Sequence, residues 1–370
     1  NSIDIFPSFL TYENNLEGDI YFTDAENLDF TLSEYSPAIG AGLNSITLYG
    51  VTYDLSSNTD LNLSDRPLPQ ETNIDIGAYE NSLGTNTHNS NIYVSVNEGS
   101  NEGSVGLETQ PFQTIQAAIN YAIDGDSIYV FPGTYPGGVS IINKGINFIS
   151  TTPLGAIINN NVNNSYTFTF SSDTDVFYST ITGFDINKTS TDGAYGVRAT
   201  NEHYVNLYKS KISNFTYATS TGVSAIQAEN CLLINNSIAI YNDQCSTGSI
   251  TPLLKNCTII NSTTIHAACP TISLNVFNSI VLISDTNQNT YTSAPNFKKV
   301  ITNDSNIVPQ ENSTWEVALD GETDIYFTDY TGGDYTLSEF SPALGYGSFP
   351  VSEDILGNSR PMPVGSSLDA

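Results

Sequence analysis

Asn230-Cys-Leu-Leu-Ile-Asn235 and Asn256-Cys-Thr-Ile-Ile-Asn261 are two versions of one short phrase, 26 residues apart (256 − 230 = 26). Each is apolar in the middle and bounded by Asn. Ser210-Lys-Ile-Ser-Asn214 precedes them and Asn278-Ser-Ile-Val-Leu282 follows. With Ser210, Cys231, Cys257 and Ser279 aligned, the steps are 21, 26 and 22 residues. A period of about 20–30 residues carrying two or three strands predicts a right-handed parallel β-helix, each coil stacking on the last at about 4.8 Å. Like residues then lie over like, with small residues in an inward column and Asn columns at the bends. Roughly eight to ten coils would span about 40 to 50 Å.

A longer repeat encloses this one. Asp19-Ile-Tyr-Phe-Thr-Asp24 recurs as Asp324-Ile-Tyr-Phe-Thr-Asp329, an offset of 324 − 19 = 305. Phe30-Thr-Leu-Ser-Glu-Tyr-Ser-Pro-Ala-Ile-Gly40 recurs as Tyr335-Thr-Leu-Ser-Glu-Phe-Ser-Pro-Ala-Leu-Gly345 at the same offset, and Asp65-Arg-Pro-Leu-Pro69 as Ser359-Arg-Pro-Met-Pro363. The chain reads as one period of a tandem array plus the tail of the period before it. Residues 1–86 are expected to finish a preceding β-helix module and 87–91 to form a linker. Residues 92–370 form the next module, with a capping helix at 111–123, coils at about 126–300 and a closing segment at 300–370. The second copy stops at Leu368-Asp-Ala370, where Gly77-Ala-Tyr-Glu80 would be matched, so an excerpt of a longer protein is expected.

Ten Lys and Arg against 39 Asp and Glu give a net charge of −29. That disfavours nucleic acid and anionic membrane surfaces as partners, because both need clustered cations. Only 13% of residues are charged, so this is no charged disordered tail; the polarity comes from Asn, Ser and Thr, which suits a secreted protein. No apolar run approaches the roughly 20 residues of a membrane span, and Asn1-Ser-Ile-Asp-Ile-Phe6 has neither the basic start nor the apolar core of a signal peptide.

One helix is predicted. Pro111-Phe-Gln-Thr-Ile-Gln-Ala-Ala-Ile-Asn-Tyr-Ala-Ile123 puts Ile115, Ala118, Ile119, Ala122 and Ile123 on one stripe, with Thr109 as N-cap and Asp124-Gly125 as the stop. Such a helix laid over the open first coil would protect its unpaired edge.

Asn91-Ile-Tyr-Val-Ser95, Gln110-Pro-Phe-Gln-Thr-Ile-Gln-Ala-Ala-Ile119 and Gly125-Asp-Ser-Ile-Tyr-Val-Phe-Pro-Gly-Thr-Tyr135 together resemble the opening of secreted pectate-lyase-like β-helix proteins. Ser36-Pro-Ala-Ile-Gly-Ala-Gly42, Asp65-Arg-Pro67 and Ile74-Asp-Ile-Gly-Ala-Tyr-Glu80 resemble the end segment of such modules in large surface proteins of Bacteroidota. The resemblance implies an extracellular or cell-surface location and export by the type IX route.

Several constellations bear on chemistry. Lyases that eliminate across a uronate use an Arg or Lys base and acid-bound calcium. Arg198, Lys209 and Lys211 are the best basic group, with Lys209 and Lys211 expected to alternate on one strand; two solvated lysines are the plainer reading. Thr191-Asp-Gly193 lacks the companion motifs of a polygalacturonase, leaving Asp192 as a turn residue. His88, His203 and His266 are scattered and suggest no triad. Asp19, Asp24 and Asp29 in one copy and Asp324, Asp329 and Asp334 in the other offer oxygen ligands for Ca²⁺, or simply acidic loops. Tyr204 and Tyr208 share parity on one strand and would stack on sugar rings, or else serve strand propensity and packing. Cysteines spaced 14, 12 and 12 apart leave two readings: buried free thiols in a ladder, or a Cys245–Cys269 disulfide.

The function expected is a non-catalytic structural or adhesive module of a long secreted or cell-surface protein. It would contact neighbouring modules of its own chain, surface polysaccharide or other surface proteins. It requires no cofactor, Ca²⁺ aside. The alternatives are a polysaccharide lyase or hydrolase, or a glycan-binding module, on the β-helix face.

Overall fold

A computed structural model describes residues 20–56, 59–160, 166–173, 175–189, 194–222, 225–242, 251–267, 274–284, 296–303, 314–317, 324–347 and 352–360. The chain divides into two compact units, 1–89 and 90–370. Cys245, Cys269 and Asp19 lie outside the described residues.

The second unit is a parallel β-helix. Its first face stacks nine strands in parallel register, from Asn91–Val94 through Ser127–Val130 and Asn147–Ser150 to the first halves of Asn275–Ile283 and Asn296–Thr302. Eight steps of about 4.8 Å make this ladder about 38 Å long. Along it one inward column reads Ile92, Ile128, Phe148, Ile181, Leu207, Ala228, Leu254, Val276, Phe297, each no more than 4% exposed. The neighbouring outward column is almost wholly polar: Asn91, Ser127, Asn147, Thr180, Asn206, Gln227, Leu253, Asn275, Asn296. The second face repeats the scheme, with Ile158, Ile186, Ile212, Leu233, Ile259 and Val281 stacked inward. The third face runs in six strands from Val139–Ile142 to Thr264–Ala267. Six three-sided coils are thus complete among the described residues, fewer than the eight to ten expected. After the sixth, Asn275–Ile283 runs along the first face and onto the second as one strand.

The bends explain the Asn-bounded phrases. Gly183, Lys209, Asn230, Asn256, Asn278 and Lys299 all take positive φ at the first bend, and Asn214, Asn235 and Asn261 at the second. A residue there has its Cβ crowded against a carbonyl, a strain that Gly escapes and Asn tolerates best. The next residue of the first bend turns inward, giving the aligned ladder Ser210, Cys231, Cys257, Ser279. Cys231 and Cys257 are free and buried. Cys231 Sγ lies 3.5 and 3.4 Å from the carbonyls of Leu207 and Glu229, and Cys257 Sγ lies 3.5 and 3.4 Å from those of Ala228 and Lys255. Burial pushes the Cys231 thiol well up. At the second bend outer Asn side chains bond to each other, Asn261 Nδ2 donating to Asn235 Oδ1 at 3.1 Å, as Asn296 Nδ2 does to Asn275 Oδ1 at 3.0 Å on the first face.

Helix α1 spans Ile115–Tyr121 and is shorter than the predicted 111–123. Its N-cap is Thr114, not Thr109, accepting from Ala117 N at 3.2 Å. Pro111-Phe112 is withheld from the helix because Phe112 bridges Val94 in parallel, its N–H bonding Tyr93 O at 2.9 Å. Ile115, Ala118, Ile119 and Ala122 are buried as expected, whereas Ile123 is 56% exposed. The cap works through a side chain: Gln116 Nε2 donates to Ser140 O at 3.1 Å and Gln116 Oε1 accepts from Ser140 N at 2.9 Å. Gln116 thereby stands in for a missing strand at the edge of the third face. Lys144, held below its usual pKa by burial, donates to Ile119 O and Ala122 O, both at 2.7 Å, closing the helix C-terminus.

The first unit carries the hairpins Phe22–Asp24/Asp29–Leu32 and Ser45–Leu48/Val51–Asp54. Leu32, Ala38 and Ile39 form its small core. The Arg-Pro and Ile-Asp-Ile-Gly-Ala-Tyr-Glu motifs lock it: Arg66 Nε pairs with Glu80 at 3.4 Å, and buried Asp75 accepts from Gly40 N at 2.7 Å and Asn81 N at 2.6 Å.

Leu233→Ala is expected to cost about 2–5 kcal/mol in urea unfolding, since the cavity opens in a rigid ladder. Asn206→Ala in the outward column is expected to stay within about 0.5 kcal/mol. Cys231 and Cys257 should resist iodoacetamide in the native chain and label after denaturation, read by peptide mass mapping.

Candidate functional site

The outer side of the second face changes chemistry partway along. Its early coils present Asp185, Lys211, Asn187 and Ser213; its later coils present Leu232, Thr258, Ile280 and Ile301 in one column and Ile234, Ile260 and Leu282 in the next. Over the apolar stretch lies the hairpin Phe327–Asp329/Asp334–Leu337, burying Ile325, Phe327 and Ala343 against Ile234, Ile260, Ile280, Leu282 and Ile301. This is a second core, outside the coils. The runs Leu-Leu-Ile, Thr-Ile-Ile and Ile-Val-Leu-Ile carry its signal: a strand apolar on both sides is covered on both sides.

Where polar and apolar stretches meet, a cleft of about 760 Å³ opens. Its floor is Leu232, Ile234 and Ile280, and Tyr335, Leu337 and Leu344 from the hairpin side face them. Lys211, Asn230, Asn256, Asp334, Asp354 and Arg360 supply the polar lining. Asn256 is 6% exposed, yet neither its Oδ1 nor its Nδ2 has a partner. Asn230 Oδ1 is likewise unpartnered, while its Nδ2 donates to Glu353 O at 2.9 Å. A buried polar group left unpaired costs about 1–3 kcal/mol. The cleft is therefore suited to a group that offers both a donor and an acceptor beside an apolar surface.

The three candidate bases are not brought together. Lys209 and Lys211 do not share a strand: one strand ends at Tyr208, the next begins at Lys211, and Lys209 forms the bend between them at φ +49°. Lys209 pairs with Glu353 and pins the loop 352–360 to the bend. Lys211 Nζ pairs with Asp185 at 3.1 Å in the adjacent coil. Arg198 lies on the third face, its guanidinium 4.8 Å from the centre of the Tyr166 ring and 5.6 Å from that of Tyr195, with Nη1 donating to Tyr166 Oη at 2.5 Å. Arg198 belongs to an aromatic ladder: Tyr166, Tyr195, Tyr217 and Tyr241 follow one another at 5.0, 4.6 and 4.4 Å between ring centres. Their spacing of 29, 22 and 24 residues, close to the coil period, was the available signal. Tyr204 and Tyr208 both lie on the outward side of one strand; Tyr204 stacks on Tyr178 at 5.2 Å, and Tyr208 sits between Thr182 and Glu229.

The candidate calcium ligands serve the hairpin turns. Asp29 Oδ1 accepts from Thr31 N at 3.0 Å and Thr31 Oγ1 at 2.6 Å, and Asp334 Oδ1 does the same with Thr336 at 3.0 and 2.6 Å. These bonds hold both carboxyls below their usual pKa. Asp24 caps Asn27, and Asp329 accepts from Gly332 N at 2.8 Å. Asp324 stands just before the second hairpin. Among the described residues no group of three His, Cys, Asp or Glu is placed to hold a metal ion. His203 points inward and is fully buried, with Nε2 2.8 Å from Ser179 Oγ and the ring against Phe170 and Phe177. Burial lowers its pKa.

No family model and no curated protein matches the chain. Among solved structures it is similar to a rhamnogalacturonan lyase, with TM-score 0.32, 13% identity, and coverage of 57% of this chain and 72% of that one. It is similar to the deglycosylated pectin methylesterase of Aspergillus niger, with TM-score 0.36, 14% identity, and coverage of 72% and 93%. It is also similar to a pectin methylesterase in complex with a hexasaccharide, with TM-score 0.34, 13% identity, and coverage of 67% and 98%. The strand registers themselves establish the parallel β-helix.

Two pH effects are expected, of one sign and in different windows. As pH falls through 6.5, the ordinary value, the unfolded chain protonates at His203 while the buried ring stays neutral, so stability drops toward the lower folded value. His203→Gln should flatten the urea midpoint between pH 7.5 and pH 5. The Asp334 contribution is full above the ordinary carboxylate range and is lost as pH falls through its lowered folded pKa. Asp334→Ala should therefore lower the midpoint at pH 7 and match the parent chain at the acid limit.

Proposed function

We propose that the chain is a structural and adhesive repeat module of a long secreted or cell-surface protein. The observation that carries this reading is where its cations are spent. Lys211 ties one coil to the next through Asp185, as Lys255 does through Glu229 at 3.1 Å. Lys209 fastens the closing loop, and Arg198 lies on the tyrosine ladder. Each is used to hold coils or attachments together, a pattern suited to a rod that extends and presents surfaces. The Bacteroidota source and type IX route follow the sequence resemblance alone. Among the described residues no helix is long and apolar enough to cross a membrane.

A second reading, a non-catalytic glycan-binding module, is favoured by one observation: the ladder Tyr166, Tyr195, Tyr217, Tyr241 offers stacked rings beside a guanidinium. Sugar faces stack on such rings.

One experiment separates these from a lyase or hydrolase. The full chain is incubated with a panel of acidic and neutral glycans, scoring both retention and release of reducing ends or unsaturated uronate. Retention without product is the expected result, with Tyr217→Ala weakening any retained glycan about threefold to tenfold. Turnover that Lys211→Ala abolishes would overturn the structural reading.

A further inference from the structure

The two hairpins related by the 305-residue offset have the same internal geometry in two different surroundings. Phe22 and Phe30 meet edge to face at 5.5 Å and 88°; Phe327 and Tyr335 meet at 5.6 Å and 85° (327 − 22 = 305; 335 − 30 = 305). Thr23 Oγ1 and Thr31 Oγ1 hydrogen-bond at 2.9 Å, and Thr328 Oγ1 and Thr336 Oγ1 at 2.8 Å; the hydroxyls of Thr31 and Thr336, spent on Asp29 and Asp334, accept. Tyr21 and Tyr326 take φ of +52° and +56°, and both hairpins carry the same register shift.

What differs is cover. In the second unit Phe327 is 7% exposed and Ile325 fully buried, seated on the Ile and Leu columns of the coils. In the first unit Phe22 is 41% and Phe30 45% exposed. The hairpin keeps an edge-to-face aromatic pair aligned for a surface that the described residues of its own unit do not supply. The first turn also presents nothing larger than its counterpart at the key position. Ala25 stands where Tyr330 packs on Phe327 and donates to Asn261 Oδ1 at 3.1 Å, so the first hairpin is smaller there, while Asn27 and Leu28 stand where the second has Gly332 and Gly333 (330 − 25 = 305).

We infer that the Phe22–Phe30 face of the first hairpin docks on the outer flank of a parallel β-helix, a partner presenting two adjacent, largely aliphatic columns like Ile234-Ile260-Leu282 and Leu232-Thr258-Ile280-Ile301. This deepens the modular reading and rests on it for its biological sense, but the observation behind it is independent. The flank in the second unit shows what such a partner looks like: mostly apolar residues at the two outward positions of successive strands, Thr258 excepted, beside a bend of Asn residues. Exposed paired aromatics of this kind are the usual anchors of an interface.

The test uses the full chain. Phe327→Asp pushes the second hairpin off its flank and leaves that flank bare. This variant is expected to self-associate in sedimentation velocity, the first hairpin of one copy seating on the bare flank of another. Adding Phe22→Asp should abolish the association. A Phe327→Asp chain that stays monomeric, or one whose association survives Phe22→Asp, overturns the inference. If Phe327→Asp unfolds the coils, a hairpin exchange decides: residues 324–345 are replaced by the sequence of residues 19–40. A melting temperature within a few degrees of the parent, lost on Phe22→Asp in the transplanted segment, supports docking. A chimera that melts as low as the Phe327→Asp chain overturns it. The glycan assay above reads the non-catalytic function separately, so failure of docking and failure of that reading are distinguishable.

Discussion

The structure depends on strands of successive coils lying in register, each residue directly over its counterpart. Backbone pairing alone would hold neighbouring coils, but register makes each position along the coil a column whose members share one environment, dry or wet. An inward column is dry, so a single polar intruder needs an internal partner. His203 has one in Ser179, and Asn236 another, its Oδ1 accepting from Phe215 N and its Nδ2 donating to Ile212 O, both at 3.0 Å. An outward column is wet unless something covers it. At the bends the constraint passes to the backbone: left-handed corners recur at the first and second bends, mostly at Asn or Gly, with Lys209 and Lys299 the exceptions.

Stacking also decides what the few cations do. A charge on one coil has its nearest neighbours on the coils above and below, about 4.8 Å away. In a chain so rich in acid, those neighbours are often carboxylates, as Asp185 is to Lys211 and Glu229 to Lys255. Pairs of this sort are partly exposed and worth little individually. Their consequence is functional: a base needed for elimination at a sugar would have to be released from such a partner. Aromatic residues obey the same geometry where Tyr166, Tyr195 and Tyr217 lie in register, while Tyr241, in register with Ser220, joins the ladder from three residues further along its strand.

The lateral hairpin adds a second level of organisation. A solenoid buries its core by itself, so an apolar outer column is surplus to the coils and implies an attachment. The second unit satisfies this with the segment that ends the 305-residue period, and the cleft lies where that attachment stops and the polar flank begins. The module is therefore a rod with a flanking clasp, and the clasp motif is the part repeated most faithfully along the sequence.

Much of the fold was legible because the β-helix is periodic. Ser210, Cys231, Cys257 and Ser279 could be aligned by eye and do stack, and the apolar stripe of α1 marked a cap. What stayed hidden was whatever depends on contacts outside the period. Pro111-Phe112 reads as helical but bridges Val94, and Lys209 and Lys211 read as one strand but straddle a left-handed bend. The sequence by itself determined which residues face inward and where the chain bends, because column chemistry and the strain of left-handed corners are local properties repeated every coil. Only the tertiary structure decided that the terminal repeat folds back across the second face. That contact joins residues far apart in the chain through ordinary aliphatic packing, which carries no spacing to read.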